Sequence, residues 1–415
     1  MAEKVVRIGS SSGFWGDSQV AAAQLVHRGE MDYLVGDYLA ELTMSIMARA
    51  READPNMGYA TDFVTVTMRR LIKDIARKKI KVVSNAGGVN PRACAEAIRK
   101  IVRDAGLDLK VAYVHGDDLL DQVEQFRAEG LTEMFTGAPL PPKLLSMNAY
   151  LGAIPIAEAL KHGADIVVTG RCVDSALALG ILMYEHEWSV TDYDKLAAGS
   201  LVGHIIECGA QCTGGLFTDW RDVPDWDDIG YPIVECYADG SFIVSKPPAT
   251  GGLVSFGSVA EQLLYEIGDP GAYILPDVVC DFTQVTMEEV GENRVRVSGA
   301  KGLPPTDKYK VSATFPDGWR AVAQITIGGP EAVHKARRTG EALLKRTRRM
   351  LAAMNLADFR DSLIEVIGGE TMYGPHSRAL DAREAQMRLA VSHDERMPVE
   401  MFLRECSSPG CSMAQ

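Results

Sequence analysis

A chain of 415 residues, 47% hydrophobic and 24% charged, is longer than one core normally supports, and two globular domains are expected. A net charge of −13 excludes nucleic acid, because phosphate binding needs clustered Lys and Arg. Eight cysteines, with no secretory leader and no membrane-length apolar run in view, point to reduced thiols in a cytoplasmic protein that has no membrane partner.

Five short apolar segments, at 4–8, 33–35, 81–84, 110–114 and 165–169, read as strands in the first half of the chain. Helical periodicity fills the gaps, at 91–105 and 154–162 for example. Apolar strands alternating with helices imply a parallel sheet covered on both faces, a doubly wound α/β domain over residues 1–220. The stretch 131–146 contains Pro139, Pro141 and Pro142 and reads as a loop, either a lid or a connector. Beyond about residue 219 the pattern changes. Strands are expected at 232–237, 241–245, 294–298, 309–315 and 321–327, with Asp-Gly hairpin turns at 237–241 and 315–319. Helices are expected at 331–354 and 398–404, so residues 221–415 read as a smaller α+β domain with antiparallel strands, the border falling between 209 and 231. The run from Lys335 to Arg349 is basic, either a solvated helix face or a docking patch for an acidic group.

Each of the five early strands leads into a polar or glycine-rich turn, and in an open α/β sheet such turns meet along one edge, where ligands bind. Helix capping would explain any one of them; five together favour a site. The first turn holds Ser10, Ser11, Gly13, Gly16 and Asp17. Its spacing is neither GxGxxG nor a Walker loop, so no nicotinamide or ATP cofactor is expected; a carboxylate, a phosphate or the diphosphate of coenzyme A suits its backbone N–H groups. Asn85, Gly87 and Gly88 give a second close-approach turn. His115 stands near Asp117, as a tuned base or part of a capping cluster. Arg171 and Asp174 follow the fifth strand; the arginine either clamps a substrate carboxylate or pairs internally with Asp174.

Residues 203–215 read Gly-His-Ile-Ile-Glu-Cys-Gly-Ala-Gln-Cys-Thr-Gly-Gly, the densest chemistry in the chain. They continue a helix predicted over 191–208, which sets His204 and Cys208 four apart on one face and His204 and Glu207 three apart. An imidazole beside a thiol lowers the thiol's pKa, so His204 and Glu207 are candidate proton carriers and Cys208 a candidate nucleophile. Packed inert thiols and a glycine helix end are the plainer account, and Cys212 is the weaker candidate. Cys208-x3-Cys212 has no second pair nearby, and no metal is expected.

Motifs in order through the chain carry a resemblance. They are Gly13-Phe-Trp-Gly-Asp17, Asp32-Tyr-Leu34, Ser84-Asn-Ala-Gly-Gly-Val-Asn-Pro91, Gly116-Asp-Asp118, Asn148-Ala-Tyr-Leu-Gly-Ala153, Thr169-Gly-Arg171 with Asp174, Gly203-His204 with Glu207-Cys-Gly209, Gly251-Gly252, and Glu261-Gln-Leu-Leu-Tyr-Glu266. Over about residues 5–405 the chain resembles the acyclic terpene utilisation protein AtuA family. Members usually continue past a Pro-Gly like Pro409-Gly410, so the chain is expected to be short there. The resemblance implies catabolism of branched isoprenoid acids carried as CoA thioesters, with coenzyme A as part of the substrate and no other cofactor. The expected activity is proton-transfer chemistry, namely hydration, isomerisation or carbon–carbon cleavage. The alternative is a non-catalytic ligand-binding or scaffold subunit of a multi-protein pathway. A homo-oligomer is expected from the habits of large α/β enzymes.

Overall fold

Strands that are apolar along their whole length need cover on both faces, and that requirement organises this protein. The computed structural model describes residues 4–414. The chain forms two compact units that meet in sequence at Phe315 and Pro316. The first unit holds β1 (Val6–Ser10), β2 (Tyr33–Gly36), β3 (Lys81–Ser84), β4 (Val111–Tyr113), β5 (Ser146–Ala149), β6 (Ile166–Val168), β7 (Ile233–Cys236), β8 (Phe242–Ser245), β9 (Tyr273–Ile274), β10 (Val279–Asp281), β11 (Thr286–Gly291), β12 (Arg294–Ser298), β13 (Lys301–Leu303) and β14 (Val311–Thr314). Nine of these form one mixed sheet in the order β11-β12-β8-β7-β1-β2-β3-β6-β4. The five strands expected from the sequence, β1, β2, β3, β6 and β4, are its parallel part.

Successive side chains leave the sheet on opposite faces. Tyr33, Val35, Val83 and Val167 pack against the helices Ile154–Lys161, Ala176–Glu185 and Tyr193–Glu207. Leu34, Val82, Ile166 and Val168 pack against the helices Ala21–Arg28, Glu41–Ala53, Arg69–Lys78 and Pro91–Asp104. The doubly covered α/β architecture is therefore present.

The border expected between 209 and 231 falls inside this unit. Residues 221–298 do not start a new core. β7 pairs antiparallel with β1, Ile8 opposite Val234, and β8, β12 and β11 extend the same sheet. The Asp-Gly turn at 237–241 makes the β7–β8 hairpin as expected, with Gly240 at φ +92°. The second one does not make a hairpin. Gly318 does adopt a positive φ of 72°, yet β14 pairs with β5 whereas the next strand pairs within the second unit. An Asp-Gly turn reverses the chain; it does not choose the partner.

The second unit is a three-stranded antiparallel sheet of β15 (Trp319–Gly328), β16 (Asp361–Ile367) and β17 (Glu384–His393), in the order β15-β17-β16. The helices Ala332–Ala353 and Arg396–Glu405 cover one face through Leu343, Leu351, Met387, Leu389 and Phe402. No helix of the described residues is long and apolar enough to cross a membrane.

This architecture predicts a difference between two truncations. A chain ending at Phe315 keeps the nine-stranded sheet and is expected to unfold in one cooperative thermal transition. A chain ending at residue 220 loses β7, β8, β11 and β12 and exposes the edge of β1; it is expected to aggregate or to show no transition by circular dichroism.

Candidate active site

β6 enters the sheet between β3 and β4, so the loop that follows it lies between the loops of those two strands. Hydrogen bonds join the three. The Thr169 N–H donates to the Ser84 carbonyl at 2.9 Å, and the Arg171 N–H donates to Asp117 Oδ2 at 2.8 Å. Asp117 also accepts from Asn148 Nδ2 at 2.8 Å. On the other side, Asn85 Nδ2 donates to Asp37 Oδ1 at 2.7 Å, and its Oδ1 accepts from the Tyr38 N–H at 2.7 Å. Ser11 Oγ donates to the Val35 carbonyl at 3.0 Å. The C-terminal edge is therefore one connected set of turns.

The ends of β1 and β2 and the segment after β6 border a small cavity lined by Ser10, Val35, Asp37, Asp174, Leu177, Ala178, Gly203, Ile206 and Glu207. Its volume of about 10 Å³ is near the size that holds one water. The helix Tyr193–Glu207 brings the last of these residues in, and every residue from Leu196 to Ile206 is buried. Gly203 makes its close approach possible, since a Cβ there would stand 2.4 Å from the Ser175 Cα. Among the described residues, no three His, Cys, Asp or Glu side chains are grouped to hold a metal ion.

His204 is bonded at both ring nitrogens. Nδ1 lies 2.9 Å from Glu207 Oε1 and Nε2 lies 3.1 Å from the Leu263 carbonyl. A carbonyl only accepts, so Nε2 carries a hydrogen. The remaining proton lies between Nδ1 and Glu207, and the two groups titrate as a pair. Burial is the largest influence on each. It pushes Glu207 up to about 7, helped by Asp174 and Glu266 and opposed by His204. Burial alone would depress His204, but Glu207 and the Leu263 carbonyl outweigh it and hold the imidazole above its ordinary range. Asp37 is held well above the usual carboxylate range by burial and by the charge of Asp174.

Arg171 is anchored on one side only. Nη1 donates to the Cys172 carbonyl at 2.9 Å and to Asp174 Oδ1 at 2.8 Å, the internal pair that the sequence left open. The Tyr150 ring lies 4.1 Å from the guanidinium carbon, and Nε is buried without a hydrogen-bond partner.

The expected thiol–imidazole pair is not formed. Cys208 caps the helix, both ring nitrogens of His204 are engaged elsewhere, and burial together with Glu207 pushes the Cys208 thiol up rather than down. Cys212 is buried and is likewise pushed up, to about 12, by burial. The remaining first-turn residues lie close by. Ser10 lines the cavity with an unpartnered Oγ. Gly13 packs on the Cys208 backbone, where a Cβ would come within 2.8 Å. Asp17 accepts from the Gly13 N–H and from the Tyr231 hydroxyl. Gly16 and Asp17 line a neighbouring cavity of about 60 Å³ beside the π-helix Phe63–Met68. Gly87 packs against the Thr169 carbonyl, and Gly88 turns at φ +55° against Met47. His115 is exposed; its loop reaches the other turns through Asp117.

Asp37, Ser12 and Tyr150 are site residues that sequence reasoning passed over. Asp37 had a signal, since it follows β2 directly as Gly36-Asp37. Ser12, with a buried unpartnered Oγ, adjoins Ser10 and Ser11 in the first turn, and Tyr150 lies within the Asn148–Ala153 motif.

Fold and site together define a mixed α/β protein with a buried acid–base cluster at the C-terminal edge of its parallel strands. The chain belongs to the acyclic terpene utilisation family AtuA, which it matches over residues 6–415, and the family's name ties its members to a catabolic role. No curated protein and no solved structure matches the chain.

The raised carboxylate has a measurable consequence. The folded chain keeps the proton shared by Glu207 and His204 above the ordinary imidazole value of 6.5, where the unfolded chain has released it. Stability therefore falls as pH rises past that value, and the raised Asp37 acts in the same direction from the ordinary carboxylate range upward. The melting temperature is expected to drop from pH 5 to pH 8. Glu207→Gln should flatten the curve, and a wild-type slope in that variant would contradict the assignment.

Proposed function

We propose that this chain is an enzyme that moves protons on a branched carboxylate or its CoA thioester. One observation carries the reading: Glu207 shares a proton with His204 beside a water-sized cavity, opposite the buried Asp37. A group that titrates near 7 accepts and returns a proton at neutral pH. Asp37, whose hold on a proton is strengthened by burial and by Asp174, is placed to donate. Carboxyl groups whose environments set different proton affinities divide the acid and base roles between them.

Of the three reaction types, the cavity supports hydration and its reversal best, because it has room for one water next to Glu207. The water oxygen bonds to the β-carbon of an unsaturated acyl group as Glu207 takes its proton. Asp37 delivers a proton to the α-carbon, and the second cycle half returns the Glu207 proton to the Asp37 carboxylate through the cluster. The open Nε–H of Arg171 supplies a donor for the carboxylate or thioester oxygen. Asn85 orients Asp37, and the first turn faces the substrate with Ser10. Cys208 is a packing residue in this scheme.

The test is turnover by the purified full-length chain on a panel of branched, unsaturated carboxylates and their CoA thioesters, followed by mass spectrometry for gain of water. Glu207→Gln, His204→Ala and Asp37→Asn are each expected to lower the rate by roughly 10²–10⁴-fold. Cys208→Ser is expected to stay within a few-fold of wild type. Absence of turnover on every member of the panel, or full activity in Glu207→Gln, overturns the reading.

A further inference from the structure

The second unit has a groove of about 570 Å³, lined by Glu331, His334, Lys335, Arg338, Thr339, Ala342, Ser412, Met413 and Ala414. Its volume lies in the range of small-molecule sites. Residues 334, 335, 338, 339 and 342 are spaced three and four apart on the helix Ala332–Ala353 and so share one face. That face presents three nitrogen-bearing side chains to the groove. Further along the helix, Arg346 and Arg348 are paired with Glu405 and Asp358. Lys335 and Arg338 have no carboxylate within ion-pair distance among the described residues.

Thr339 is the independent observation. It is 2% exposed, and its Oγ1 has no hydrogen-bond partner. A buried threonine in a helix ordinarily donates to a carbonyl three or four residues back. Thr347, two turns later on the same helix, does so, to the carbonyls of Leu343 and Leu344 at 2.9 and 3.1 Å. Thr339 leaves its hydroxyl uncommitted, at the floor of a groove walled by unpaired cations. Leaving a buried hydroxyl unsatisfied costs free energy, and a ligand that accepts from it recovers that cost.

We propose that this groove binds a phosphate-bearing small molecule of nucleotide size. Lys335, Arg338 and His334 hold the phosphate, Thr339 Oγ1 donates to one of its oxygens, and Ala342 and Met413 give an apolar wall for the organic part. A phosphate offers several acceptor oxygens to match several donors, and the groove is far larger than phosphate alone requires. Glu331 is the one carboxylate in the lining, and it opposes anion binding.

The test is calorimetric titration of the full-length chain at low salt with inorganic phosphate, AMP and coenzyme A. AMP or coenzyme A is expected to bind more tightly than inorganic phosphate and to weaken as salt rises, and the tighter of the two identifies the source of the phosphate. The double variant Lys335→Gln, Arg338→Gln is expected to lose about tenfold or more in affinity, and Thr339→Val several-fold. Glu331→Gln is expected to tighten binding. Lys335 and Arg338 lie outside the core, so the double variant reports on the groove even if Thr339→Val destabilises the fold. Failure of all three ligands to bind, binding of inorganic phosphate as tight as that of both AMP and coenzyme A, or undiminished affinity in the double variant overturns the proposal. Coenzyme A is also part of the substrate proposed for the first unit, so it is the affinity lost in the Lys335→Gln, Arg338→Gln variant that reports on the groove, and that loss is independent of the proton-transfer chemistry.

Discussion

A carboxylate taken out of water has to be hydrogen-bonded, paired with a cation or protonated. Three of them, Asp37, Asp117 and Glu207, crowd the C-terminal edge of the parallel strands beside the half-exposed Asp174, and that requirement accounts for the surrounding structure. Asp117 accepts a backbone N–H from Arg171 and the amide of Asn148. Asp174 pairs with Arg171 and Glu207 with His204. Asp37 has the Asn85 amide and the Leu39 N–H but no cation of its own, with Asp174 and Glu207 close enough to repel it. It is the member for which a proton is the cheapest solution. The arrangement leaves two exchangeable protons, on Asp37 and in the His204–Glu207 pair, facing a cavity too small for anything but a water or the reacting atoms of a substrate.

The same crowding explains the glycines around the site. The loop after β6 sits against its neighbours because Gly170 lies where a Cβ would be 2.5 Å from the Asp117 carboxylate. The link between the first turn and the helix Tyr193–Glu207 is likewise backbone on backbone, at Gly13 and Cys208. These contacts bring donors and carboxylates within reach without long side chains. Such a site is rigid, and its geometry is sensitive to any added methyl group.

Much of this was legible in the sequence, for physical reasons that differ by element. β1, β2, β3, β4 and β6 could be read because a strand buried on both faces is apolar throughout and is cut off sharply by polar turns. Their order, with β6 between β3 and β4, could not, because it depends on which helix packs on which face. The domain border was misplaced because antiparallel hairpins and βα units were taken as separate cores, whereas the open edge of β1 accepts either kind of neighbour. β17 carries a visible alternation, Ala385, Met387, Leu389 and Val391 inward, but no Asp-Gly turn marks its ends. In the site, the spacing of His204 and Glu207 on one helix face was enough to foresee their contact. The same spacing suggested a Cys208–His204 pair that does not exist, since the helix ends at Glu207 and both imidazole nitrogens find other partners. Periodicity fixes which residues can meet along one helix. It does not show which of them another element will claim, as the Leu263 carbonyl claims His204.

The position of the His204–Glu207 pair within its helix gives its raised proton affinities a further physical basis. Both residues lie in the final turn of the helix Tyr193–Glu207, where the unsatisfied carbonyls carry the negative end of the helix dipole. That field favours a cation and disfavours an anion, so it raises the proton affinity of imidazole and carboxyl alike. Burial opposes it at His204 and reinforces it at Glu207. The two effects together bring the affinities of neighbouring groups toward one another. The closer the affinities of two groups 2.9 Å apart, the less free energy a proton loses in passing between them. A helix whose residues 196–206 are buried can fix that distance, because the ends of the pair are held by packing rather than by the hydrogen bond itself. The side chains that make this helix part of the core are thus the ones that hold the His204–Glu207 pair at its distance.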